Sequence, residues 1–208
     1  MVDFADDLPC DAGPRSVTLR PHLRYHETFM HDIITLPGLG GSGDTHWQTL
    51  WERRDARFTR FQPASWDQPE LDDWEQALER AVARCARPPV LVAHSLACLL
   101  VAHWAARFPS AIAGAFLVAV PDPDGSHFPA EAVAFKSVPR PALRFPALII
   151  ASTNDPYGAL EVTRRRAQDW QSGLIVPGAL GHINAASGLG DWPQGRALLD
   201  AFRAGLPR

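Results

Sequence analysis

Short, uninterrupted apolar runs alternate along the chain with longer stretches in which apolar residues recur every three or four positions. Pro89-Val90-Leu91-Val92-Ala93 and Ala147-Leu148-Ile149-Ile150-Ala151 are the clearest runs. Segments apolar at every position suit strands buried on both faces, as parallel sheets require. The same reading predicts further strands at 32–36, 58–62, 115–120 and 174–176, and helices at 45–53, 71–86, 96–107, 157–171 and 194–204. This alternation predicts a doubly wound α/β domain of about six mostly parallel strands with helices on both faces. In such sheets ligands gather beyond the carboxyl ends of the strands, so the loops that follow them are where chemistry is sought.

Two segments break the pattern. Residues 1–29 mix charge, proline and polar groups without periodicity and read as a poorly ordered extension, with Ser16-Val17-Thr18-Leu19 its one strand-like fragment. Met30 stands directly before the first convincing strand and is a candidate natural start, so the folded domain is expected over 30–208. The second break, 121–146, is proline-rich with one weak helical piece around Ala130–Phe135. It reads either as a flap lining a site with Phe128, Phe135 and Phe145, or as a plain surface crossover.

Composition narrows the class. A chain of 208 residues buries enough surface to need no disulfide framework. Cys10, Cys85 and Cys98 are odd in number and form no C-x-x-C pair, which points to reduced thiols, a cytoplasmic setting and no zinc site. A net charge of -3 with interspersed signs leaves no footprint for nucleic acid or an anionic membrane.

Within Ala93-His94-Ser95-Leu96-Ala97 an apolar run turns into a helical one at a serine, the layout of a nucleophile elbow with alanines where G-x-S-x-G has glycines. Ser95 also suits a simple helix N-cap. Asp155 follows the strand ending near Ala151, and His182 follows the last strand. The order Ser95, Asp155, His182 is that of α/β-hydrolase triads, in which an imidazole takes the serine proton and a carboxylate orients the imidazole. Asp155 equally suits a cap for a helix starting near Tyr157, and Asp122, with Asp124 close by, is its rival as the acid.

The loop Leu36-Pro37-Gly38-Leu39-Gly40-Gly41-Ser42-Gly43 after the first strand offers the amide of Leu39, with that of Leu96, as an oxyanion hole. Gly38, Gly40 and Gly43 also match G-x-G-x-x-G, a nicotinamide-dinucleotide signal, but no acidic residue ends the second strand as that fingerprint requires. His94 is expected to pack or bond near the elbow, and Cys98 to lie in the core. Trp47 and Trp51, four apart, share one helix face; Trp66, Trp74 and Trp104 read as packing residues.

Pro37-Gly38-Leu39-Gly40-Gly41, Thr45-His46-Trp47, His94-Ser95, Asn154-Asp155-Pro156 and Gly181-His182 together resemble the small serine-hydrolase family that includes retinoblastoma-binding protein nine. The longer string from Gly181 to Pro193, and Trp66-Asp67 followed by Asp73-Trp74, resemble its bacterial branch. The resemblance implies a minimal single-domain α/β-hydrolase fold from about Met30 onward and a triad of Ser95, Asp155 and His182, and it favours Asp155 over Asp122. Ala97 departs from the family's usual glycine. The expected function is a cofactor-free and metal-free serine hydrolase, a carboxylesterase acting on small to medium acyl esters. The alternatives are a non-catalytic protein-interaction module on the same fold and a dinucleotide-binding protein.

Overall fold

The computed structural model describes residues 31–207. The segment before them, with the expected extension, Cys10 and the candidate start at Met30, lies outside the described residues. From His31 the chain builds one six-stranded sheet in the order β2-β1-β3-β4-β5-β6, and every neighbouring pair is parallel. The strands are β1 (Ile33–Leu36), β2 (Phe58–Arg60), β3 (Val90–His94), β4 (Gly114–Val118), β5 (Ala147–Ser152) and β6 (Gly173–Gly178). The helices between and after them are α1 (Trp47–Arg54), α2 (Leu71–Ala83), α3 (Leu96–Arg107), α4 (Leu160–Asp169) and α5 (Pro193–Ala204). Short 3-10 turns occupy Ala130–Phe135 and Ala185–Ser187.

Strand alternation sorts the core into two layers. Ile34, Leu36, Leu91, Ala93, Ala115, Leu117 and Ile149 face α2, α3 and α4, where Trp74, Leu78, Leu100 and Trp170 meet them. Ile33, Val90, Val92, Phe116, Val118 and Ile150 face α1 and α5, where Trp47, Trp51 and Leu199 pack. Burial on both faces is why the central strands carry no polar alternation. The order of strands reverses between β1 and β3, so their carboxyl ends open a crevice at the switch point.

Two expectations need correction. Helix α4 starts at Leu160, not near residue 157. The Tyr157 amide donates to Asp155 Oδ1 at 2.9 Å, the Asp122 amide donates to the Tyr157 carbonyl at 2.8 Å, and a Cβ on Gly158 would lie 2.5 Å from the Val120 carbonyl oxygen. These contacts press residues 155–158 against the end of β4 in a non-helical path. In the proline-rich segment, Phe135 is a core residue, edge-on to Trp74 at 5.6 Å, and Phe145 packs against the same layer. Phe128 alone of the three phenylalanines reaches the cavity described below.

Trp47 and Trp51 do share a face, with ring centroids 4.5 Å apart, and Trp192 packs on both. Trp192 has a positive φ of 44°, and a Cβ placed on Gly195 would sit 2.1 Å from its ring. The ring is wedged between α1 and the start of α5 and has nowhere to retreat. Gly195→Ala is therefore expected to destabilise by about 2–3 kcal/mol through overpacking, lowering the melting temperature by roughly 4–12 °C. Thermal unfolding followed by circular dichroism checks this; an unchanged transition would mean that Trp192 can move.

Candidate active site

Ser95 joins β3 to α3 with φ 55° and ψ −126°, a strained conformation for a residue with a side chain. Its side chain makes no capping bond to the helix. The Ser95 amide donates to the Val118 carbonyl at 2.9 Å and its carbonyl accepts from Cys98 at 2.8 Å, so neighbours on both sides hold the turn. Ala93 and Ala97 are fully buried in the helix-side core. The close approach that small residues permit is made from elsewhere: a Cβ on Gly38 would lie 3.0 Å from both the His94 carbonyl oxygen and Ser95 Cβ, and 3.3 Å from the Leu96 nitrogen. The loop after β1 thus presses its backbone onto the elbow.

Ser95 Oγ lies 2.8 Å from His182 Nε2, and His182 Nδ1 lies 2.9 and 3.0 Å from the two oxygens of Asp155. An ionised carboxylate only accepts, so Nδ1 carries the proton and Nε2 is left to accept from the serine hydroxyl. Asp155 and His182 side chains are 3% and 9% exposed. The capping role weighed for Asp155 coexists with this one, because Oδ1 also accepts from the Tyr157 amide. Asp122 spends its carboxylate on the amide of Asp124 at 3.0 Å, within its own turn.

A cavity of about 410 Å³ opens over Ser95 and His182. Leu39, Leu96, Pro121, Phe128, Pro129, Tyr157 and Ala185 supply apolar wall, and no Asp, Glu, Lys or Arg is among its lining residues. Both expected amide donors, Leu39 and Leu96, belong to residues on this wall. The Gly38–Gly43 loop is tied down by Gly40 N–H to the Trp66 carbonyl at 2.9 Å and by Arg60 and Thr49 on the Ser42 carbonyl. Trp66 also lies beneath Gly41, where a Cβ would meet its ring at 3.3 Å. Helix α1 starts only after this loop, capped by His46 Nδ1 accepting from Gln48 N–H, so the glycine spacing serves the elbow and this turn. Among the described residues no cluster of side chains suited to a metal ion occurs.

His94 does bond beside the elbow: its Nε2–H donates to the His182 carbonyl at 3.0 Å. Burial holds its pKa well below the ordinary histidine value, and His46 and His182 nearby push the same way. Burial, with Arg60 adding, lowers His46 to about 4. Cys98 is buried, with its thiol pushed up by desolvation, and is no nucleophile. Sequence reasoning missed Tyr157, whose ring lies 4.5 Å from that of His182, and the wall at Asn184 to Ala186. Only the position of Tyr157 two residues after Asp155 hinted at it.

The chain matches the model of the serine hydrolase family over residues 33–201 and belongs to that family. It is a serine hydrolase of the α/β-hydrolase fold. A YdeN-like hydrolase from Pectobacterium atrosepticum is 34% identical, with a TM-score of 0.77 over 86% of this chain and 94% of that one. The ydeN gene product of B. subtilis is 20% identical, with a TM-score of 0.70 over 84% and 100% of the two chains. A monoacylglycerol lipase from Paleococcus ferrophilus shares the fold at 12% identity, with a TM-score of 0.66 over 84% and 96%. A search of curated proteins found no match.

The depressed histidines make an acid-sensitivity prediction. His46 is neutral in the folded protein down to about pH 4 but takes a proton near pH 6.5 when unfolded. Below that pH the unfolded chain binds the extra proton, so stability falls as pH drops through the window from 6.5 to 4. The contribution of His46 is about 2 kcal/mol lost by pH 5. His46→Asn, which keeps an acceptor for Gln48 N–H, is expected to flatten the fall, as urea unfolding at pH 7 and pH 5 will measure.

Proposed function

We propose that the protein is a carboxylesterase that cleaves small to medium, uncharged acyl esters through an acyl-enzyme on Ser95. The observation that carries this reading is the unbroken line from Ser95 Oγ through His182 to Asp155 at the floor of an apolar cavity. His182 Nε2 takes the hydroxyl proton as Oγ attacks the ester carbonyl, and Asp155 holds the imidazolium that forms. The amides of Leu39 and Leu96 receive the oxyanion, each such donor being worth about 2.7–4 kcal/mol. Collapse of the tetrahedral intermediate breaks the ester C–O bond as His182 returns the proton to the leaving alcohol. Water, deprotonated by His182, then attacks the acyl carbon, and the bond to Ser95 Oγ breaks as His182 returns the proton to it, releasing the acid and restoring the serine.

The uncharged wall supports the substrate class, because a carboxylate or ammonium on the acyl chain would lose its hydration and find no partner. A lipase on the same fold fits the same chemistry. Cys85 and Cys98 are free, and we assign the enzyme to the cytoplasm. No helix among the described residues is long and apolar enough to cross a membrane.

Ser95→Ala is expected to abolish labelling by a fluorophosphonate probe and to lower kcat by a factor approaching roughly 10⁶; labelling that persists in the variant rejects Ser95 as nucleophile. In a p-nitrophenyl ester series, butyrate is expected to exceed the monosuccinate ester in kcat/KM at least about tenfold, from the cost of burying an unpaired charge. Equal rates for the two would remove the argument from the wall.

A further inference from the structure

Resting on the triad reading, we infer that Ser152 and Asn154 are positioning residues that hold the His182 imidazole on Asp155 by keeping the loops after β5 and β6 in register. The backbone pairing of these strands runs evenly to Ile150 opposite Ile175 and then slips, with Ser152 opposite Gly178. Beyond the slip the pairing continues through one backbone bond and then two side chains. Thr153 N–H donates to the Gly178 carbonyl at 2.9 Å, Leu180 N–H to Ser152 Oγ at 2.8 Å, and Gly181 N–H to Asn154 Oδ1 at 2.8 Å. The next contact in the series is His182 on Asp155.

Donor logic orients the clamp. The buried Ser152 hydroxyl accepts from Leu180, so its own proton goes to Asn154 Oδ1, 2.8 Å away. Asn154 Oδ1 therefore receives two donors, which settles which end of the amide faces the loop. The held segment needs this help. Pro177-Gly178-Ala179-Leu180-Gly181 has no polar side chain of its own, and Gly178 and Gly181 have φ of 129° and 58°. A loop of that composition has many conformations to lose unless it is fixed from outside. On its far side His182 is held by other means, through His94 on its carbonyl and Trp47 Nε1–H on the carbonyl of Ile183 at 2.8 Å. Those bonds fix the backbone after the imidazole, and the Ser152-Asn154 pair fixes the backbone before it.

The test measures p-nitrophenyl butyrate hydrolysis, fluorophosphonate labelling and melting temperature in Asn154→Ala, Asn154→Asp and Ser152→Ala. Asn154→Ala and Ser152→Ala are expected to lower kcat by roughly 10- to 100-fold, as small misplacements of a catalytic group do, with KM changed less than about twofold. Asn154→Asp keeps an acceptor for both donors, so it is expected to recover most of kcat. It also sets a second carboxylate near His182, which already faces Asp155, Tyr157 and the neutral His94, with neutral His46 behind His94. Favouring the imidazolium, that charge is expected to move the acid limb of the kcat/KM profile to higher pH, which reports that residue 154 sits by the imidazole. Loss of kcat at an unchanged melting temperature in the Ala variants, recovered in Asn154→Asp, is what a purely structural role would not give. Wild-type kcat in Asn154→Ala, or an Asp variant as slow as the Ala variant with an unmoved profile, overturns the positioning role. If Asn154→Ala does not fold, the Asp variant decides by the same criteria. Labelling that survives Ser95→Ala would overturn the triad instead, and so separates the two failures.

Discussion

The backbone of Ser95 is the constraint on which the site depends. A residue with a side chain at φ 55° costs on the order of 1–3 kcal/mol and persists only where its surroundings leave no alternative. Here those surroundings, β3, β4 and the first turns of α3, are buried throughout. β3 lies inside the sheet between β1 and β4, α3 is apolar almost throughout, and the amide of Ser95 is claimed by β4. The strain lifts one hydroxyl out of the core while its neighbours remain in it.

That turn would be useless without a backbone laid against it, and Gly38 supplies the backbone. The glycines missing at 93 and 97 look, in the sequence, like a weakness of the elbow. In three dimensions a close approach comes from the β1 loop, where even a methyl group would touch Ser95 and crowd the Leu96 amide. The small-residue requirement is met across the switch point of the sheet, between segments distant in sequence, and no local pattern reports such a contact.

What was legible follows the same division. The six strands, the doubly wound arrangement and the three loops bearing Ser95, Asp155 and His182 all express local periodicity and chain order, and the structure brings those residues within hydrogen-bonding distance. The choice of Asp155 over Asp122 was open to residue-level reasoning, because each ends a strand. In the structure it is Asp155 that the distant loop bearing His182 reaches. Phe135 and Phe145 were misplaced for a related reason: a proline-rich segment has no period, so nothing in it tells a core-facing ring from a cavity-facing one. The path of Tyr157 depends on contacts with the chain leaving β4, and the pairing of 152–155 with 178–182 on the slip between β5 and β6, neither of which periodicity encodes.

The uncharged cavity wall bears on how a turnover ends. In the proposed reaction an ester enters without charge, but its acid product ionises at neutral pH, and no lysine or arginine is among the lining residues to hold it. In that reaction the carboxylate left beside Ser95 meets the proposed amides of Leu39 and Leu96, with Asp155 behind the imidazole. The same wall that admits the substrate thus turns against the product at the moment it forms. Hydration of the acid in bulk water then favours its departure from the site.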